Sequence, residues 1–231
     1  MGKKQEIITL DGPSGVGKST ISRKIATLLG YAYLDTGAMY RAVGYYLRHN
    51  GVDVDDVQAV ADNLDNISLH LLPAEKEDED TGVVLNNVDI SKEIRTSEIA
   101  MLASKVSAYP PVRVKLTQMQ REIGVKGRIV AEGRDVGTVV FPDAAYKFFL
   151  EADIEERTRR RALQMNVNDD SAARSRILEM IRKRDRDDSE RSVAPLKMAD
   201  DAFRIDTTKL SIDDVCEIIL HQIRVRQQES G

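Results

Sequence analysis

A glycine-rich segment near the start of the chain restricts the possible folds more than any other feature. Residues 12–19 read Gly-Pro-Ser-Gly-Val-Gly-Lys-Ser, which matches the pattern G-x-x-x-x-G-K-[ST]. The segment follows a short apolar run at 6–11 and precedes residues 18–29, where apolar side chains recur at helical spacing before Gly30. These patterns predict a strand, a tight turn and a helix in immediate succession.

A turn of this kind is suited to hold phosphate groups. Glycines let the backbone wrap so that its N–H groups point inward, and the start of the helix adds positive potential. Lys18 is expected to reach the outer phosphates, and the Ser19 hydroxyl is expected to bind Mg²⁺. The sequence thus predicts a site for a nucleoside triphosphate with Mg²⁺. Its residues are Gly12, Pro13, Ser14, Gly15, Val16, Gly17, Lys18, Ser19 and Thr20.

The rest of the chain alternates short apolar strands with helices. Strands are expected at 31–34, 128–131, 146–150 and 203–205, and helices at about 153–165, 171–186 and 211–226. Short strands without alternating polarity are typical of a sheet buried on both faces. The pairs Asp153/Glu156 and Ser211/Asp214 are expected to cap two of the helices. The prediction is an α/β fold in three layers, with a five-stranded parallel sheet and helices on both faces.

Residues 52–126 interrupt this alternation. Helical stretches there surround two strand candidates, 67–72 and 83–89. The acidic run at 75–80 separates the two candidates and is interpreted as a solvated loop. The simplest interpretation is an inserted subdomain that packs on the core.

Composition excludes several classes of protein. The 34 Lys and Arg residues against 38 Asp and Glu residues give a net charge of −4, which disfavours a general binder of nucleic acid. The single cysteine, Cys216, excludes an internal disulfide and suits a reducing compartment. No apolar run approaches the roughly 18 residues needed to cross a bilayer, and the first residues lack a secretory apolar core. A cytoplasmic protein without a membrane partner is expected.

Two functions of a triphosphate site remain to be separated, a GTPase-like switch and a phosphotransferase. A switch needs D-x-x-G after a later strand and N/T-K-x-D for guanine. No aspartate of the chain has glycine three positions on, and residues 208–211 read Thr-Lys-Leu-Ser without the final Asp. A phosphotransferase instead needs a second anion site and several cations.

Charged groups suited to a second anion site follow two of the expected strands. Residues 35–41 place a hydroxyl and an arginine at the start of a helix, and residues 132–137 place charges after the next strand. Ligands of open α/β sheets bind at the carboxyl ends of strands, so both segments should border one cleft with the phosphate loop. The alternatives are that Asp35 only caps a helix and that Arg134 and Asp135 form a surface ion pair.

Two arginine-rich stretches, 157–161 and 184–191, complete the set of cations. About half of these charges are expected to lie on solvated faces, paired along the helix, and the rest to face phosphate. The polar segment 166–170 separates the two helices. The helix ends are therefore expected to form a lid over the triphosphate.

Together these motifs resemble the bacterial cytidylate kinase family. The phosphate loop is joined, in the family's order and over nearly the whole chain, by the segments 35–41, 94–96, 111–113, 132–142, 184–191 and 195–196. An extra segment at about 62–92 also looks like the one that distinguishes this family from other nucleoside monophosphate kinases. Thr36 stands where some members carry Ser, and either residue keeps the hydroxyl.

The resemblance implies a P-loop NTPase fold and the reaction of ATP with CMP or dCMP to give ADP and CDP or dCDP. It implies a core formed by 1–35 and 127–231 with a lid at about 155–170. It also implies a monophosphate-binding domain at 36–126, which includes the insert at about 62–92. A monomer is expected. A kinase for another nucleoside monophosphate or a small metabolite stays open as the alternative, with a nucleotide-binding switch more remote.

The resemblance also implies roles for individual residues. Acceptor-phosphate ligands are Thr36, Arg41, Arg134 and Arg191; cytosine ligands are Ser104, Arg113 and Asp135; sugar ligands are Arg184 and Asp188; Asp35 and Tyr40 also bind substrate. Catalytic residues are Lys18, Arg134, Arg191, Arg157 and Arg161, the last two in the lid. No general base is expected, because a phosphate monoester with a second pKa near 6 is already mostly dianionic at pH 7.

Overall fold

The short apolar strands of the sequence form one parallel sheet. The computed structural model describes residues 6–72, 81–167 and 170–229. The sheet strands are β1 (Ile7–Asp11), β2 (Ala32–Asp35), β6 (Ile129–Gly133), β7 (Tyr146–Glu151) and β8 (Phe203–Asp206), in the order β2-β6-β1-β7-β8. Every neighbouring pair is parallel, so all the carboxyl ends meet at one edge.

Helices cover both faces of the sheet. They are α1 (Lys18–Leu29), α2 (Thr36–His49), α3 (Val57–Asn63), α4 (Ser97–Val106), α5 (Pro110–Gly124), α6 (Ile154–Gln164), α7 (Ser171–Glu190) and α8 (Ile212–Glu229). Successive residues of β1 belong to different cores: Ile7 packs with the α2, α4 and α5 side, and Ile8 with the α1 and α8 side. A strand buried on both faces has no polar face, which explains its lack of alternation. The predicted three-layer α/β architecture is confirmed.

Residues 57–124 carry the predicted interruption of the alternation. A second, antiparallel sheet contains β3 (Leu69–Leu72), β4 (Gly82–Leu85) and β5 (Val88–Asp89). The single strand expected at 83–89 is wrong, because Asn86 and Asn87 adopt φ values of 48° and 67° and turn the chain into a hairpin. The acidic run 75–80 lies outside the described residues, and the domain division stays a prediction.

One of the two expected helix caps is wrong. The Asp153 side chain makes no capping hydrogen bond at the start of α6, and Glu156 instead accepts from Arg159 and Arg160 at 2.7 and 2.8 Å. Guanidinium groups one turn ahead bind the carboxylate more strongly than a backbone N–H does. The Ser211 and Asp214 pair is confirmed by reciprocal hydrogen bonds of 3.1 and 2.9 Å.

Within the described ranges, no helix combines the length and the apolarity that crossing a bilayer would need.

Candidate active site

The phosphate loop connects β1 to α1, and its glycines are sterically required. At Gly12, with φ of 149°, a Cβ atom would lie 2.1 Å from the Leu150 carbonyl oxygen. Gly17 adopts φ of 95° at the start of α1 and offers no capping side chain, so the first N–H groups of the helix stay open to a ligand. The Lys18 ammonium donates to the Pro13 carbonyl at 2.6 Å, which folds its side chain back over the loop.

A cleft of about 310 Å³ opens at the carboxyl edge of the sheet. It is bordered by the phosphate loop, the starts of α1 and α2, the end of β6 and parts of α4, α6 and α7. The sequence-predicted residues that line it are Ser14, Gly15, Gly17, Lys18, Ser19, Thr20, Asp35, Thr36, Tyr40, Arg41, Ser104, Arg134, Asp135, Arg161, Arg184, Asp188 and Arg191. Residues spread over 178 positions of sequence thus meet in one place.

The start of α2 carries the first group of these side chains. Asp35 caps the helix by accepting from the Ala38 N–H at 2.9 Å, and its second oxygen pairs with Arg41 at 2.8 Å. Capping is therefore only part of its role, because the same carboxylate also orients Arg41. The Thr36 hydroxyl donates to the Glu132 carbonyl at 2.7 Å and ties this helix start to β6.

Two buried aspartates hold the arginines that follow β6 and α7. Asp135 accepts from Arg113 through one oxygen and from Arg191 through the other, at 3.1 Å for Arg191. Asp188 accepts from Arg134 at 2.7 Å. The alternative of an Arg134–Asp135 surface ion pair is wrong, since each residue has a different partner and Asp135 is only 6% exposed.

The cations of the cleft outnumber the anions that face them. Burial, reinforced by Arg134, lowers the pKa of Lys18 well below its ordinary value. The same two causes lower the pKa of Arg184 to about 10. Arg41 and Arg184 each keep a buried Nε that has no hydrogen-bond partner among the described residues. Such a set of cations is suited to an anionic ligand.

Two predicted residues stand behind the cleft rather than in its lining. Arg113 is 4% exposed and, besides Asp135, donates to the Ser107 carbonyl at 3.0 Å. Arg157 pairs with Asp185 at 2.6 Å and donates to the Ser14 carbonyl at 3.2 Å, so it braces the phosphate loop from below. Arg157 also borders a second cavity of about 360 Å³.

The remaining predicted positions shape the loop or lie at the mouth of the cleft. Gly12, Pro13 and Val16 do not line the cleft, and Val16 is fully buried in the core beneath the loop. Arg161 is exposed on α6 beside Gln164, to which it donates at 3.2 Å. Of the inter-helix segment expected in the lid, Asn168 and Asp169 lie outside the described residues.

Comparison with known proteins assigns this geometry to a family. Residues 8–225 match the model of the cytidylate kinase family. The chain belongs to that family. Cytidylate kinase of Geobacter sp. is 44% identical over 220 residues, which cover 95% of this chain and 93% of that protein. Cytidylate kinase of Pseudomonas fluorescens is 43% identical over 226 residues, which cover 98% of both.

A likeness in fold extends to more distant proteins. A crystal structure of a protein from Eubacterium ventriosum superimposes with a TM-score of 0.52 at 13% identity and covers 96% of this chain and 99% of that one. At this identity the likeness concerns the fold alone. Membership in the cytidylate kinase family makes the chain a phosphotransferase that uses ATP, and it removes the nucleotide-binding switch from consideration.

Sequence reasoning placed the segment 132–137 at the cleft but assigned no role to Glu132, its first residue. Glu132 ends β6, is 4% exposed and lines the cleft. Its carboxylate accepts a hydrogen bond from the Tyr33 hydroxyl at 2.5 Å, and the Ser19 hydroxyl lies close enough to act on its pKa. Burial, with Asp35 nearby, raises the pKa of Glu132. The sequence feature that could have predicted this role is a carboxylate at the end of the strand beside the phosphate-loop strand.

Asp11, the last residue of β1, was also missed. Its two oxygens accept from the Val136 and Gly137 N–H groups at 2.8 and 2.7 Å, and burial raises its pKa to about 6. These bonds anchor a π-helical turn, Val136–Val140, that the sequence did not indicate. Asp11 thereby joins the phosphate loop to the segment that carries Arg134 and Asp135.

Ser19 and Glu132 together offer the donor atoms that Mg²⁺ prefers. A hydroxyl and one carboxylate suit an ion that usually keeps several waters and also binds substrate phosphates. Among the described residues, no group of three His, Cys, Asp or Glu side chains is placed to hold a metal ion. The donor set therefore fits a metal that arrives with a nucleotide.

Proposed function

We propose that the chain transfers the γ-phosphoryl group of ATP to CMP or dCMP, forming ADP and CDP or dCDP. The observation that carries this proposal is the presence of the phosphate loop and a second group of arginines in one cleft. A kinase needs two adjacent anion sites and cations that neutralise the charge of the transferred group. The cytidylate kinase family identifies the nucleotides.

The donor phosphates are assigned to the phosphate loop. Its N–H groups and the open start of α1 cradle the β-phosphate, and the Lys18 ammonium reaches the bond that breaks. Lys18 lies at the base of the cleft with its ammonium already held by a neutral carbonyl, so no carboxylate has to release it. Its role is to neutralise charge that develops between the β- and γ-phosphates.

The proposed metal is Mg²⁺, held by the Ser19 hydroxyl and, directly or through water, by Glu132. When bound with ATP it would neutralise phosphate charge and favour in-line transfer. The support is the pairing of these two oxygen donors at the floor of the cleft.

The acceptor phosphate is assigned to Arg41, Arg134 and Arg191, with Thr36 beside them. Each of these arginines is already oriented by an aspartate, and Arg41 keeps an unpartnered Nε. Side chains fixed before the reaction lose little entropy on binding and need little reorganisation in the transition state. The acceptor oxygen needs positioning rather than deprotonation.

The cytosine ring is assigned to Asp135, with Arg113 behind it and Ser104 beside it. A carboxylate accepts from the N4 amine of cytosine and repels the O4 carbonyl of uracil. Both Asp135 oxygens already accept from arginines, yet each retains a further lone pair for the amine. Arg184 and Asp188 are assigned to the sugar.

The lid is assigned to α6 and the start of α7. In this proposal Arg161 closes on the ATP phosphates from the mouth of the cleft, and Arg157 acts from below by bracing the Ser14 carbonyl. A monomer as the active form stays a prediction. A cytoplasmic location stays a prediction.

The test is an assay of ADP release with CMP, dCMP, UMP, AMP and GMP offered in parallel. The proposal expects CMP and dCMP to give the highest kcat/KM. A different nucleotide as the best acceptor would contradict the assignment of the base site. ADP release that is independent of any acceptor would contradict transfer to a nucleotide. An Arg224→Ala variant is the control and should keep the wild-type kcat/KM, because Arg224 is an exposed residue of α8 outside the cleft.

A further inference from the structure

The packing of Tyr33 against the core requires its ring and not its hydroxyl, because the hydroxyl bonds to Glu132. Tyr33 lies in β2, and its ring packs partly buried against the α1 and α8 side of the sheet. The hydroxyl, its only side-chain polar group, donates to Glu132 Oε1 at 2.5 Å and lies close to the Ser19 hydroxyl. Because the hydroxyl contacts a carboxylate of the cleft, its role is expected to concern the cleft.

The strand register explains how the hydroxyl reaches the cleft. On β6 the partner of Glu132 is Asp35, whereas Tyr33 is paired with Val130. Tyr33 is therefore two residues back from the edge, a distance of roughly 6.6 Å along a strand. An aromatic side chain can span such a diagonal, so the phenol delivers its O–H to the end of the neighbouring strand.

The hydrogen bond from Tyr33 restrains the Glu132 carboxylate, which could otherwise move toward a neighbouring cation. The cleft places it near Lys18 as well as Ser19, and the Lys18 charge acts on the carboxylate. A carboxylate that moved onto the ammonium would remove a cation intended for phosphate. The phenol O–H is the donor of the hydrogen bond that holds the carboxylate in place.

We propose that Tyr33 is a positioning residue for the metal-nucleotide site: its O–H fixes the Glu132 carboxylate beside the Ser19 hydroxyl, where the pair receives the divalent cation of the donor nucleotide. This inference rests on the proposed function in one respect, the use of a metal-bound ATP as donor. The donor bond uses one lone pair of Oε1, and the carboxylate retains others for the ion or its water. Tyr33 itself does not touch the nucleotide.

The proposal is tested by equilibrium binding of ATP in the absence of any acceptor, measured by calorimetry with saturating Mg²⁺ and again in a chelator. The ratio of the two affinities is the Mg²⁺ enhancement. In Tyr33→Phe this enhancement should fall roughly tenfold, or disappear, which is typical of losing a group that orients a metal ligand. The affinity for ATP without metal should stay within about twofold of the wild-type value, because Tyr33 makes no phosphate contact.

Tyr31→Phe is the matched control. Tyr31 directly precedes β2, and its hydroxyl lies 3.4 Å from the exposed Glu6 carboxylate, away from the cleft. Removing that hydroxyl should change neither affinity. Tyr33→Leu lacks both ring and hydroxyl and should lose the same Mg²⁺ enhancement as Tyr33→Phe. It keeps the test available if one of the two variants fails to give a cooperative melting curve.

Glu132→Gln identifies the group through which Tyr33 acts. It should lose the Mg²⁺ enhancement by itself, and adding Tyr33→Phe should cause no further loss, since the effects share one pathway. The proposal is overturned if Tyr33→Phe keeps the enhancement, if it weakens ATP equally with and without metal, or if it causes a further loss in the Glu132→Gln protein. Failure of the wild type to phosphorylate CMP would overturn the proposed function instead. It would leave the result of this binding test valid, because the binding test contains no CMP.

Discussion

At the scale of single residues, two aspartates determine how the cleft arginines are arranged. Asp135 pairs with Arg113 and Arg191, and Asp188 pairs with Arg134. Buried ion pairs of this kind add little net stability, because desolvation offsets the attraction. Their value here is orientation: the guanidinium groups are held at the edge of the cleft before any phosphate arrives.

Asp135→Asn separates base recognition from the support of arginines. The amide oxygen can still accept from one of the two guanidinium groups, and the amide NH₂ that replaces the second oxygen can donate to the uracil O4. The ratio of kcat/KM for CMP to that for UMP should therefore narrow by roughly tenfold or more. Steady-state kinetics with both nucleotides measures this ratio. If Asp135 serves only to hold Arg113 and Arg191, both substrates lose equally and the ratio stays unchanged.

Lys18→Met tests the catalytic assignment on the donor side. Methionine keeps most of the side-chain volume but removes the charge, so turnover should fall far below a tenth of the wild-type rate. The protein should stay folded, because the hydrogen bond that the ammonium makes within the described residues is to one carbonyl of its own loop. A folded variant that retains more than about a tenth of the rate, a loss under roughly 1.4 kcal/mol, contradicts the role.

At the scale of elements, the ends of neighbouring strands are linked directly across the sheet. Asp11 joins β1 to the π-helical turn after β6, and Thr36 joins the start of α2 to the Glu132 carbonyl. The turn is further restricted at Gly137, where a Cβ would lie 2.8 Å from the Thr9 hydroxyl. The donor and acceptor sides of the cleft therefore share one rigid edge.

Asp11→Asn should change how stability depends on pH. Burial raises the pKa of Asp11 from 3.8 to about 6, so the folded chain holds this proton more tightly than the unfolded chain does. The contribution of Asp11 to the free energy of unfolding is fully present below about pH 4. It is lost as the pH rises through 6, which lowers the free energy of unfolding by up to about 3 kcal/mol. Asparagine does not titrate, so the unfolding free energy of the variant minus that of the wild type should rise across this window.

Urea unfolding at pH 4, 5, 6 and 7 measures this difference. Asp206→Asn provides the control, because hydrogen bonds from Thr208 hold the pKa of the exposed Asp206 below its ordinary value of 3.8. The contribution of that group therefore changes only near and below pH 4, so between pH 5 and pH 7 the difference between this variant and the wild type should stay constant. A difference that does not vary with pH for Asp11→Asn contradicts a raised pKa at this position.

The sequence predicted elements whose formation depends on local pattern and missed those that depend on distant partners. The parallel strands follow from short apolar runs, and the Ser211–Asp214 cap follows from two residues three positions apart. The π-helical turn has no such signal, since Asp11 anchors it from 125 positions earlier. The hairpin at Asn86 was missed because Asn-Asn was not recognised as a turn signal.

At the scale of the whole molecule, the fold gathers positive charge in one cleft of a chain whose net charge is −4. Motif order was sufficient to predict most of the cleft lining, because parallel strands bring their carboxyl ends to one edge. It did not predict which arginine pairs with which aspartate, nor the Tyr33–Glu132 bond. These depend on side-chain geometry across strands rather than on neighbours in sequence.

Anion binding should stabilise the whole chain. ATP at one hundred times its dissociation constant adds about 2.7 kcal/mol, which corresponds to a rise in Tm of roughly 5 to 10 °C for a chain of this size. Scanning calorimetry with ATP, against sodium chloride of equal ionic strength, measures the effect. Lys18→Met should show a smaller rise. Equal shifts from ATP and sodium chloride would contradict a specific anion site.

The most direct test follows the transferred group itself. ATP carrying a radiolabel on its γ-phosphate is incubated with CMP and Mg²⁺, and the labelled products are separated. Direct transfer between two phosphates held in one cleft predicts that the label appears in CDP, in equal amount to the ADP formed. Label found in inorganic phosphate instead, with CMP unchanged, would contradict it.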